Sequence, residues 1–129
     1  MKTCLVVDDS SIVRKIARRI VEGLDFEVIE AEDGVDALVV CKRAMPEAIL
    51  LDWNMPVMDG YHFLCHLRRM PGGDEPKVVF CTTENGIEHI SSAIDGGANE
   101  YIMKPFDKEI VAAKFQEVGL IELTEPSLV

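Results

Sequence analysis

Basic residues are scarce in this chain: 13 lysines and arginines stand against 23 aspartates and glutamates in 129 residues, a formal net charge of −10. Such a surface repels nucleic acid, whose binding is driven largely by cationic side chains displacing counterions from phosphates. Long apolar runs are missing too. No uninterrupted stretch approaches the ~18 residues that a spanning helix needs, so no membrane segment is expected. The N-terminal run Met1-Lys-Thr-Cys-Leu-Val-Val7 is cut short by Asp8. It lacks the apolar region of a secretory signal, and the cytoplasm is the default location. Cysteine is present but unpaired in sequence: Cys4, Cys41, Cys65 and Cys81 include no Cys-x-x-Cys. Each has mainly apolar neighbours and reads as a small buried hydrophobe in a reducing compartment. Of His62, His66 and His89, the first two stand four apart, with no Glu between them and no third ligand evident. A solvated helix face is the reading there, not a zinc site. No repeat, linker or second domain is visible, and the length suits one domain.

What the chain does contain is a regular alternation. Short apolar runs end at Val7, Leu51, Cys81 and Met103, and Phe26–Glu30 alternates as a strand should. Between them lie segments of helical period. Ser10 or Ser11 caps the first, which carries Ile12, Val13, Ile16, Ala17 and Ile20 and is ended by Gly23. Further helices are expected from Asp33-Gly34 through Cys41, over Tyr61–Arg69, near Gly86–Ile94 and over Lys108–Val118. Met70–Pro76 is a turn-rich connection. The first helix also carries a basic cluster, Arg14, Lys15, Arg18 and Arg19, read as a solvated face with a docking patch as the alternative. Five strands alternating with five helices predict an α/β, doubly wound three-layer sandwich, its parallel sheet in the order 2-1-3-4-5. Residues 1–121 form the domain, and 122–129 read as a flexible tail.

In this topology the carboxyl ends of the strands share one edge, where open α/β sheets place their ligand sites. That edge gathers Asp8, Asp9, Asp52, Thr82 and Lys104. Singly, each has a bland reading as a helix cap, a loop group or a strand exit. It is their joint occurrence at four strand ends that is specific. Clustered carboxylates raise one another's pKa unless a counter-charge is present. Lys104 supplies part of it, and Mg²⁺ suits the remainder, because it takes few carboxylates and keeps several waters. The set fits phosphoryl transfer: a cation offsets charge, Lys104 and the Thr82 hydroxyl bind phosphoryl oxygens, and Asp52 is free to attack and become an aspartyl phosphate.

Asp8-Asp9-Ser10, Leu51-Asp52-Trp-Asn-Met-Pro-Val-Met-Asp59-Gly60, Thr82 and Lys104-Pro105-Phe106 together resemble the receiver domain of two-component response regulators. The resemblance covers about residues 3–119 and is greatest to the stand-alone, CheY-like type. It implies Asp52 as phosphoacceptor, with Mg²⁺ held by Asp9, Asp52 and the Asn54 main-chain carbonyl and contacted by Asp8 through water. It implies Lys104 pairing the phosphoryl group before a cis Lys104-Pro105 bond. It also implies a switch in which Thr82 moves toward the phosphoryl oxygen and Tyr101 turns inward, altering the surface of helix four, strand five and helix five. Asn54 and Glu84 stand where the family tunes water attack on the phosphoryl group, and Thr83 stands where the family usually has Ala.

On this reading the chain is a signalling phosphoacceptor that catalyses only its own phosphorylation and dephosphorylation. Its upstream partner is a sensor histidine kinase or histidine phosphotransfer protein, docking near Ile12, Val13 and Ala17 beside Arg14. The downstream partner is a protein of unknown identity, and a monomer is the simplest state. Other classes fit less well. A haloacid-dehalogenase-like phosphatase needs a second Asp two residues beyond the nucleophile, where Asn54 stands. A flavodoxin-like carrier needs a phosphate loop that Asp8-Asp9 would repel. A phosphorylation-independent pseudo-receiver, acting as a protein-binding module, is the alternative.

Overall fold

The computed structural model describes residues 1–83 and 87–122, with backbone only at 87–89. The elements run β1 Thr3–Val7, α1 Ser11–Glu22, β2 Glu27–Ala31, α2 Gly34–Arg43, β3 Ala48–Asp52, α3 Gly60–Arg69, β4 Lys77–Thr82, α4 Ile87–Asp95, β5 Glu100–Met103 and α5 Lys108–Glu117. The strands form one parallel sheet in the order β2-β1-β3-β4-β5, as the alternation predicted.

Side chains alternate across each strand, so every central strand must be apolar on both faces. One face presents Cys4, Val6, Leu50, Val79, Cys81 and Ile102 to Ala17 and Val21 of α1 and to Val111 and Phe115 of α5. The other presents Leu5, Val7, Ile49, Leu51, Val78 and Phe80 to α2 and α3. Phe63, Phe80 and Phe115 are fully buried, each contributing about 2–3 kcal/mol through the apolar surface removed from water. Cys4, Cys41 and Cys81 are buried. Burial pushes the Cys4 thiol up to about 12 and the Cys41 thiol to about 11, so both stay protonated, inert packing groups.

Side-chain caps fix where the helices begin. Ser10, Asp33, Asp59 and Asp107 accept from the backbone N–H groups of Val13, Asp36, His62 and Ile110. The end of α1 differs from expectation. Gly23 does follow the helix, but at φ −65 it stays right-handed, and the reversal falls on Asp25 at φ 68; Asp tolerates that region. β2 starts one residue later than expected because Phe26 turns into the core, edge-on to the Phe115 ring at 5.3 Å.

The basic cluster on α1 is divided. Arg14 Nε and Arg18 Nε donate to the two carboxylate oxygens of Glu30 at 2.9 and 2.7 Å, while Lys15 and Arg19 are exposed. These hydrogen bonds, Arg18's the larger influence and Arg14's the smaller, hold the Glu30 carboxyl below its ordinary value against the opposing effect of burial. The 70–76 connection is organised by Arg68, which donates to the carbonyls of Gly73, Pro76 and Gly97.

Candidate functional site

The register sets the site. Val7 pairs with Leu51 and Asp52 with Cys81, so Asp8 lies level with Asp52 at the sheet's carboxyl edge. Thr82 pairs with Met103, which brings Lys104 to the same edge. Asp8, Asp9 and Asp52 each offer a carboxylate oxygen within 4.8 Å of the others. Lys104 Nζ donates to Asp8 Oδ2 at 2.7 Å and to Asp52 Oδ1 at 3.0 Å. Asp8, Asp52 and Thr82 are buried, and Asp9 is exposed at the mouth.

Asp8 is held through its side chain, its carbonyl and its N–H. Its Oδ1 accepts from Ser10 N–H at 2.9 Å, and its backbone carbonyl accepts from Arg14 Nη1 at 2.7 Å. Its own N–H donates to the Ala31 carbonyl at 3.1 Å. Ser10 therefore has two roles, capping α1 through its hydroxyl and bonding Asp8 through its backbone. Neither Ser10 nor Arg14 was singled out from the sequence as part of the site. Their spacing after Asp8 carries only a helix-start signal.

Asp52 is placed by the packing of α3. Gly60 N–H donates to the Trp53 carbonyl at 3.0 Å, and a Cβ at Gly60 would overlap the Asp52 carbonyl oxygen and lie 2.7 Å from Phe80 Cε1. Only a glycine lets the helix start this close to the strand end. Trp53 packs against Phe80 and Tyr61, with ring centroids 4.9 and 6.0 Å away. Burial raises the Asp52 carboxyl above its ordinary value; the Lys104 hydrogen bond pulls the other way without cancelling it, and Asp8 adds to the rise. Burial likewise disfavours the Lys104 ammonium, but the two carboxylates outweigh it and raise that group.

These charges define what the cleft can hold. With their oxygens within 4.8 Å of one another, two carboxylates repel by at least about 3 kcal/mol at an effective dielectric of about 20. Three acids and one lysine leave an uncompensated negative charge, and every donor is a hard oxygen. That donor set fits Mg²⁺, which takes one or two carboxylates and retains water.

The remaining predicted residues are distributed around this cleft. Asn54 is exposed on the loop two residues past Asp52, and Tyr101 is half-buried, with Lys114 Nζ 6.0 Å from its ring centroid. The Lys104–Pro105 peptide bond is cis, and the Lys104 N–H donates to the Thr82 carbonyl at 2.8 Å. Glu84 lies outside the described residues, as do residues 123–129 of the expected tail. One expectation is corrected. Ala17 is only 1% exposed because it faces the sheet, so it cannot belong to a docking surface. The exposed apolar residues of α1 are Ile12 and Ile16, at 70% and 49%. They stand beside a cavity of about 300 Å³ lined by Val13, Ile16, Thr83, Lys104, Pro105 and Phe106.

A parallel sheet in this order with an acidic, lysine-bridged carboxyl edge defines a doubly wound α/β fold with its site at the switch point, and comparison with known proteins supplies the family. Residues 4–116 match the family of response regulator receiver domains, and the chain belongs to that family. It is 34% identical over 116 residues to the chemotaxis protein CheY homolog of Campylobacter jejuni, covering 88% of this chain and 89% of that protein. The chemotaxis protein CheY1 of Helicobacter pylori is 36% identical over 116 residues, covering 88% and 94%. Among solved structures, the chemotaxis response regulator CheY4 of Vibrio cholerae superposes with a TM-score of 0.86 at 31% identity, over 92% of this chain and 98% of that one. The chain is thus a CheY-like receiver domain, a component of two-component signalling.

Proposed function

We propose that Asp52 accepts a phosphoryl group from a phosphohistidine of a sensor kinase or histidine phosphotransfer protein. The observation that carries this reading is the pair of bonds from Lys104 to Asp8 and Asp52, which fixes a buried carboxylate beside the cation that would meet a phosphoryl oxygen. In the transfer, an Asp52 carboxylate oxygen attacks phosphorus and a P–O bond forms. The P–N bond to the donor imidazole breaks, and its electron pair stays on nitrogen. Lys104 exchanges its Asp52 bond for a phosphoryl oxygen while keeping Asp8, and the Thr82 hydroxyl donates to another. Asp9, Asp52 and the Asn54 carbonyl would hold Mg²⁺, with Asp8 close by, and the ion would supply charge neutralisation at the phosphoryl oxygens.

The switch follows from the same change. Thr82 and Tyr101 respond to the new oxygens, and the surface of α4, β5 and α5 changes its affinity for a downstream protein. Asn54 and Glu84 set how water reaches the phosphoryl group. Donor proteins dock over Ile12, Val13 and Ile16. The unit is residues 1–121, acting as a cytoplasmic monomer whose only catalysis is on itself.

With acetyl phosphate and Mg²⁺, intact mass should show a single added phosphoryl group, labile to hydroxylamine and absent from Asp52→Asn. Trp53 emission should change with Mg²⁺, and again with beryllium fluoride only when Mg²⁺ is present. If acetyl phosphate and a panel of phosphorylated kinases all leave the protein unlabelled, the binding-module alternative replaces this reading.

A further inference from the structure

The fold places a carboxylate behind His62 and two methionines beside the His62 and His66 pair. Both histidines lie on α3 one turn apart, where i and i+4 side chains share a face. They are exposed, and they line a cavity of about 430 Å³ together with Met55, Met58 and Asp59. A second observation concerns His62 itself. Asp59 Oδ1 accepts from both the His62 backbone N–H and ring Nδ1, each at 2.8 Å. A carboxylate at this contact only accepts, so Nδ1 carries a hydrogen, and Nε2 is the nitrogen left to face an ion. A carboxylate behind one imidazole nitrogen is the arrangement that orients metal-binding histidines and raises their basicity.

We propose that this face of α3 is a copper-binding site, with the imidazoles of His62 and His66 as ligands, Asp59 as the residue that positions His62, and the Met55 and Met58 side chains as its soft wall. His66 reaches the ion by a side-chain rotation that its exposed position leaves free. The donor types choose the metal. Imidazole suits late first-row ions and Cu²⁺ heads their divalent affinity order, while thioether sulfur suits Cu⁺, the reduced form of the same metal. Magnesium, which demands oxygen, is drawn instead to the carboxyl edge of the sheet. The copper site does not depend on Asp52 and stands whether or not that residue accepts a phosphoryl group.

The test uses the full chain without a histidine tag, titrated with Cu²⁺, Zn²⁺ and Mg²⁺ and followed by calorimetry, with electron paramagnetic resonance on the Cu²⁺ form. One Cu²⁺ per chain is expected, bound roughly tenfold or more tightly than Zn²⁺, with nitrogen hyperfine structure. His62→Ala and His66→Ala should each weaken binding by about tenfold or more, while His89→Ala and Asp52→Asn leave it unchanged. Circular dichroism on each variant confirms folding, which substitution of an exposed histidine leaves intact. The proposal is overturned if either α3 variant binds Cu²⁺ like the parent, if Asp52→Asn abolishes binding, or if the parent's Kd exceeds about 1 mM. The last result would mean surface association only.

Discussion

Replacing Gly60 by alanine joins the packing of α3 directly to the chemistry at Asp52. Away from close contacts, Gly→Ala in a helix is worth up to ~1 kcal/mol in favour of the variant. Here the new methyl would overlap the Asp52 carbonyl oxygen and approach Phe80 Cε1 to 2.7 Å. Phe80 is 1% exposed and the carbonyl belongs to a central strand, so neither can step aside cheaply. Overpacking a rigid core costs ~1–3 kcal/mol, and obstruction by backbone places this case at the upper end. The net expectation is a loss of about 2 kcal/mol. Relief requires the start of α3 and the end of β3 to separate by about 1 Å, a misplacement that typically slows positioned chemistry about 100-fold. Urea unfolding followed by Trp53 emission measures the first effect, and the rate of acetyl phosphate labelling by intact mass measures the second. Gly72→Ala is the matched control: at φ 75 with nothing within 4 Å, it should lose about 1 kcal/mol and label normally. A Gly60→Ala protein within 0.5 kcal/mol of the parent, labelling at the parent rate, would refute the argument.

Three other outcomes are expected. Because burial raises the Asp52 carboxyl, the folded state binds that proton more tightly than the unfolded chain. Stability therefore falls as pH rises from the ordinary carboxylate value through the raised one. Asp52→Asn should be more stable than the parent near neutral pH without divalent cations, and the gap should close toward pH 4; urea midpoints across that range would show the opposite trend if the sign were wrong. Lys104→Met leaves Asp8 and Asp52 facing each other without their shared donor, which should destabilise the fold by about 2 kcal/mol and make millimolar Mg²⁺ more stabilising than in the parent, as thermal unfolding would report. Arg68→Ala strips three carbonyls of a charged donor and should cost about 2 kcal/mol, with faster hydrogen exchange at residues 70–76 and around Gly97 and no change in labelling at Asp52.

The architecture was readable because β1, β3 and β4 are apolar on both faces, a pattern that only a doubly covered sheet requires. Once the strands are ordered, their register alone carries Asp8, Asp52 and Lys104 to one edge, and so the acidic cluster was legible as well. What escaped the sequence depends on distances between elements. Nothing in Tyr61–Arg69 announces that Gly60 touches the Asp52 carbonyl, or that Arg68 reaches across to Gly97. The charge run on α1 looked uniform, yet Glu30 on the neighbouring strand claims Arg14 and Arg18 and leaves Lys15 and Arg19 to solvent. Ala17 was misassigned for a similar reason: helical period marks an apolar face but does not say how far the sheet extends beneath it. The two histidines read as a solvated pair because no Glu stands between them and no third ligand is evident in the sequence; that Asp59 bonds the His62 ring depends on the fold.

The bonds around Asp8 divide the cleft unequally. On its left, Ser10, Arg14 and Ala31 tie that residue to a helix start and to a neighbouring strand, so this bank behaves as fixed masonry. On the right, the ammonium at position 104 extends from the end of the sheet's short edge strand and bridges the gap. If Asp52 gains charge, the expected outcome is displacement on the right bank toward the fifth strand with the first two left where they stand.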